Sequence, residues 1–105
     1  MPTARTLDQV LALLRGRAAD LRHRGVLHAA VFGSVARGED VPDSDVDIMI
    51  ELDPAQRHTL LTYVGIIREL EALAAPLGRR VDVAQRRRLR PHVRPAADRD
   101  AVAAF

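Results

Sequence analysis

From Asp45 to Leu52 the chain reads DVDIMIEL, an alternation that predicts a strand with Asp45 and Asp47 on one face and Val46 and Ile48 on the other. Such a strand has to lie with one side against a core and one side open. Its two carboxylates leave Cα atoms roughly 6.5–7 Å apart, close enough to share a ligand. Val81-Asp82-Val83 repeats the pattern on a second short strand, predicted over residues 80–84, and offers a third carboxylate between two inward valines.

The remaining periods supply partners for these strands. Leu7, Val10, Leu11, Leu14, Ala18 and Leu21 recur at helical spacing. Thr6 and Gln9 form a capping-box pair at the start of this helix, and Gly25 is a left-handed stop at its end. Val26 to Phe32 is a mostly apolar run that reads as a strand buried on both faces. Residues 33–44 are polar and turn-rich, with Gly38, Pro42 and Asp43. After the turn at Asp53-Pro54, Leu60, Leu61, Val64, Ile67, Leu70, Leu73 and Ala74 line a predicted helix stripe that stops near Pro76 and Gly78. Beyond Gln85 come an arginine cluster and a short helix over residues 95–104. The sum is an α/β sandwich of the α+β kind, a small mixed sheet of about three strands covered by helices. With 105 residues, one domain over 1–105 is expected, with no mass for a second lobe.

Composition removes several chemistries. The absence of cysteine excludes disulfides, thiolate zinc sites and cysteine nucleophiles. An apolar fraction of 48% against 29% charged residues is a globular balance. No apolar run is long enough to cross a bilayer and the N-terminus lacks a signal-peptide pattern, so a cytoplasmic location without membrane contact is expected. His23, His28, His58 and His92 show no ligand-like spacing. The net charge is +2, yet the charges are polarised. Gly33 to Asp53 holds seven acids against Arg37 alone, and Arg79 to Arg99 holds eight arginines against Asp82 and Asp98. Arg86, Arg87, Arg88 and Arg90 are not interleaved with aromatic residues, which argues against direct nucleic-acid binding. Leu89, Val93 and Phe105 are candidates for a docking surface.

Two carboxylates about 4 Å apart repel by roughly 4 kcal/mol at an effective dielectric near 20, so converging acids need a counter-charge. Within the acidic segment only Arg37 is available, and a hard divalent cation such as Mg2+ with oxygen ligands serves better. Gly33-Ser34 directly follows the first strand, and Val35-Ala36-Arg37 can form a helical turn whose free amides cradle phosphate oxygens. Arg37 either touches a phosphate or pairs with Glu39, Asp40 or Asp43. Against this stand plainer readings: Asp45 and Asp47 as solvated acids guarding an edge strand, and Ser34 as a cap.

Gly33-Ser34, ten intervening residues and then Asp45-Val46-Asp47 resembles the signature of the polymerase beta-like nucleotidyltransferase superfamily. Gly33-Ser34-Val35-Ala36-Arg37-Gly38 followed by Ser44-Asp45-Val46-Asp47 is similar to the minimal nucleotidyltransferases in particular. The resemblance implies two-metal transfer of AMP from ATP to an acceptor hydroxyl. Asp45 and Asp47 would bind both Mg2+ ions, Asp82 would complete the ion nearer the acceptor, and Gly33, Ser34 and Arg37 would meet the triphosphate. It also implies a partner, the HEPN ribonuclease toxin of a two-gene module, neutralised by adenylylation of a tyrosine, by binding, or by both. A small-molecule adenylyltransferase, for instance one acting on an aminoglycoside beside a separate substrate-binding chain, and a binding-only antitoxin are the alternatives.

Overall fold

The computed structural model describes residues 5–105. The chain runs α1 (Thr6–Gly16), α2 (Ala18–His23), β1 (Val26–Phe32), α3 (Gly33–Arg37), β2 (Val46–Leu52), α4 (Leu60–Ala74), β3 (Val81–Gln85), α5 (Arg94–Asp100) and β4 (Val102–Ala103). Short 3₁₀ turns follow α4 and β3. The sheet order is β3-β2-β1-β4, with β2 parallel to β3 and antiparallel to β1, and β1 antiparallel to β4. The mixed sheet has four strands rather than about three. The fourth is a two-residue pairing, Val102 with Val31 and Ala103 with Ala30, too short to leave a hydrophobic period.

The alternation in β2 does what the sequence predicts. Val46, Ile48 and Ile50 are fully buried on the inner face against Leu14, Leu21, Ile66 and Leu70 from α1, α2 and α4, while Asp47 points to the outer face. In β1 the register slips by a residue between Val26 and His28, so that Val26 lies inside together with Ala29 and Val31. The strand is therefore not buried on both faces: Leu27 and His28 are exposed.

Three expectations about helices change. The first helix is broken at Arg17 (φ −107°, ψ 7°), one residue after Gly16, a weak helix former. Thr6 makes no capping box with Gln9, because Arg5 occupies the cap position. The Thr6 hydroxyl instead accepts from Arg79 Nη2 at 3.2 Å. In α4 the cap is Thr59, whose hydroxyl accepts from the Thr62 amide while Thr62 Oγ1 accepts from the Thr59 amide. That start puts Leu60 and Leu61 in the first turn, 80% and 81% exposed, and the buried stripe is Ile66, Leu70, Leu73 and Ala74.

The C-terminal segment is held internally. Arg86 makes a two-pronged pair with Asp98, both contacts at 3.1 Å, and Arg15 donates to the carbonyls of Ala104 and Ala103. Phe105 is partly buried against the core, with the Arg22 guanidinium 4.9 Å over its ring. Among the described residues no helix is long and apolar enough to cross a membrane.

Candidate active site

The outer face of the sheet gathers the predicted acids at one end. The register pairs Asp47 with Phe32 of β1 on one side and with Asp82 of β3 on the other, so the Asp47 and Asp82 side chains leave the same face from adjacent strands. Asp45 stands two residues before Asp47, immediately outside β2 rather than within it. Its neighbour Val46 is tied to the residue that leads into β3, the Val46 amide donating to Arg80 O at 2.8 Å. Asp45 and Asp82 are exposed and Asp47 is half-buried.

β1 ends directly in α3, and Gly33 at this junction has φ +72°, where an L side chain is strained. A Cβ there would also overlap Asp47 Oδ2, so the backbone of α3 lies against the central carboxylate with no room for a side chain. Ser34 follows, half-buried, and its carbonyl accepts from the Glu39 amide at 2.9 Å as the helix closes at Gly38. The sequence places both residues of this junction correctly, and the close approach of Gly33 to Asp47 explains why the first must be glycine.

Burial raises the Asp47 carboxyl above the ordinary carboxylate range, the negative charges of Asp82 and then Asp45 raise it further, and Arg37 opposes them. Asp47 therefore senses both of the other acids. Among the described residues none of them is within ion-pair distance of an arginine. Nor are three acidic or imidazole groups already closed on a common point as a ligand set. The donor set, carboxylate oxygens alone, suits a hard dication.

Arg37 lies at the same end but is engaged: Nε contacts Glu39 Oε2 at 3.0 Å and Nη1 contacts Asp100 Oδ2 at 2.7 Å. Of the partners weighed from sequence, Glu39 is the one found, and Asp100 from α5 was not foreseen. A second base missed by sequence reading is Arg79, which pairs with Asp40 at 2.9 Å with both side chains largely buried. Arg79 is one of the residues lining an open cleft of about 320 Å³ formed by Pro42 to Asp45 and Gly78 to Arg80, and this cleft reaches Asp45. The only sequence hint of this pair is the excess of acids over bases between Gly33 and Asp53, which requires a cation from elsewhere.

Comparison with known proteins bears on the family and the fold. The family model described as a nucleotidyltransferase domain matches residues 14–102. The protein adenylyltransferase MntA of Thermococcus cleftensis is 36% identical over 98 residues, covering 92% of this chain and 94% of that protein. A solved structure described as a candidate minimal nucleotidyltransferase superposes with a TM-score of 0.67 at 36% identity, over 88% of this chain and 93% of the other. A chain from the complex of tri-AMPylated Shewanella oneidensis HEPN toxin with MNT antitoxin shares the fold at a TM-score of 0.57 and 16% identity, over 90% of this chain and 71% of that one.

Proposed function

The chain belongs to the nucleotidyltransferase family as one of its minimal members, and on that premise we propose that it transfers AMP from ATP to a tyrosine hydroxyl of a HEPN toxin, acting as that toxin's antitoxin. The observation that carries this reading is the position of Asp47, paired in register with Asp82, two residues from Asp45 and pressed against Gly33. An acceptor on a protein is supported by the MntA relative, which is a protein adenylyltransferase, and a HEPN partner by the Shewanella complex. A reaction that draws on ATP suits the cytoplasm, and residues 1–105 form one catalytic unit in this reading.

Asp45, Asp47 and Asp82 would hold the two Mg2+ ions, with Asp82 toward the acceptor. When bound, the ions supply the clamp that neutralises charge on the attacking and leaving oxygens of an in-line displacement. The chain does the rest. Asp82, exposed at the edge of the acid group, accepts the proton of the acceptor hydroxyl. Gly33, lacking a side chain, lets the backbone that meets the triphosphate lie directly against Asp47, and Ser34 offers a hydroxyl and an amide donor. Arg37, held by Glu39 and Asp100, sets a positive field beside the phosphates. The acceptor oxygen bonds to the α-phosphorus, the bond to the β-phosphate oxygen breaks, and pyrophosphate leaves.

The test is intact mass spectrometry of this chain and its HEPN partner after incubation with Mg2+ and each nucleoside triphosphate in turn. One or more AMP masses on the partner, found with ATP and lost with Asp45→Asn, are expected. Toxin neutralised with no mass gain would replace transfer by occlusion, and a gain on an added aminoglycoside would move the acceptor to a small molecule.

A further inference from the structure

Asp45 lies outside β2, on the last step of a loop that would be free to wander without external restraint. That restraint comes from a residue far along the chain. Arg79 Nη1 donates to Val41 O at 2.9 Å and to Ser44 O at 3.0 Å, so one nitrogen grips both ends of the Val41–Ser44 turn. The turn is closed from within by the Ser44 amide on Val41 O and by the Val41 amide on Ser44 Oγ, each at 2.9 Å. Arg79 Nη2 meets Asp40 Oδ2 at 2.9 Å and Thr6 Oγ1 at 3.2 Å, anchoring the same guanidinium to the loop's start and to α1. The next residue, Arg80, accepts the Val46 amide through its carbonyl. Asp45 is thereby bracketed: the carbonyl before it is fixed by the Arg79 side chain, and the amide after it by the Arg80 backbone.

Two residues further along, within β3, lies Asp82. The Arg79-Arg80 pair therefore measures the loop bearing Asp45 against the strand bearing Asp82, the two acids that must approach each other when Asp47 sits between them. Only a planar fork with several fixed donors can serve two carbonyls, a hydroxyl and a carboxylate at once, and an ammonium is a point charge that cannot span them. We infer that Arg79 is a positioning residue, fixing the Asp45 carboxylate relative to Asp82 so that the acids close on a divalent cation with little rearrangement. The inference rests on the metal-binding role proposed above for Asp45.

The experiment measures Mn2+ binding by isothermal titration in the presence of α,β-methylene-ATP, which cannot transfer AMP, alongside thermal melts without metal. The chains are wild type, Arg79→Lys, Asp40→Asn and Asp45→Asn. Arg79→Lys is expected to weaken Mn2+ about tenfold, in the range seen when groups that orient metal ligands are lost. Asp40→Asn, which leaves the two carbonyl contacts in place, should weaken it by less, and Asp45→Asn should abolish binding of at least one ion. A purely structural role predicts something else: lowered melting temperatures with Mn2+ affinity unchanged in the variants that remain folded. Unchanged affinity in Arg79→Lys together with loss in Asp45→Asn would overturn the positioning role and leave the site reading intact. Absence of Mn2+ binding in the wild type would overturn both. Should Arg79→Lys fail to fold, unchanged affinity in folded Asp40→Asn would count against the role and a partial loss would support it.

Discussion

Asp47 pays a desolvation penalty that its neighbours worsen, and this has a consequence for pH. Its carboxyl is raised above the ordinary range by burial first and by Asp82 and Asp45 after it. Between the unfolded value and the raised folded value, the folded chain holds a proton that the unfolded chain has released. Stability therefore falls as pH rises through that window, and the loss persists above it. Asp47→Asn should flatten this dependence and, without metal, stabilise the fold at neutral pH by under about 1 kcal/mol, since the group is half-exposed and screened. Urea melts across pH read this directly. With Mg2+ and ATP the same variant should lose AMP transfer by roughly a thousandfold, the scale of removing a key electrostatic group from a transition state. A variant both steadier and inactive would separate function from folding at one residue. Gly33→Ala goes the other way: a positive φ and an overlap with Asp47 Oδ2 predict a loss of about 1–3 kcal/mol, measured by the same melts, together with lost transfer.

Elements explain which parts of the fold could be read in advance. β1 was legible to the residue because an apolar run ends at Gly33, and the inward face of β2 because Val46, Ile48 and Ile50 alternate with Asp47 and Met49. The break of the first helix at Arg17 was hidden, since Leu21 continues the period of Leu14 across it. The stripe of α4 was overextended because hydrophobic spacing does not know where the neighbouring surface stops, leaving Leu60 and Leu61 in solvent. At the candidate site, the meeting of Asp47 with Asp82 and the Gly33-Ser34 junction after β1 were legible from spacing. Arg79 was not, because its partner Asp40 is 39 residues away and nothing local marks the pair. The capping box of α4 offers a control for the account. Thr59→Ala should cost about 1 kcal/mol in thermal or urea unfolding, the usual value of a lost cap, and leave AMP transfer unchanged because the cap lies at the opposite end of β2 from Asp47.

On the scale of the whole molecule, the charge polarity seen in the sequence resolves into two arrangements. The arginine-rich half is partly consumed in internal ties, Arg86 to Asp98 and Glu51, Arg79 to Asp40, and Arg94 to the carbonyls of Arg87 and Leu89. Asp45 and Asp47 of the acidic half, and Asp82 beside them, have no arginine partner among the described residues and lie away from the core helices α1, α2 and α4. A fold that leaves those three groups uncompensated is stable only to the extent that the rest of the core carries them. Ile48→Ala, beneath Asp47 on the inner face, is therefore expected to be severe, a loss of about 2–5 kcal/mol in urea unfolding. The most direct measurement is anomalous diffraction from crystals grown with Mn2+ and α,β-methylene-ATP. Two peaks about 3.5–4 Å apart, both touched by Asp45 and Asp47 and one by Asp82, are predicted. Peaks elsewhere on the molecule, or a bound nucleotide with Asp82 turned away from every ion, would contradict the account.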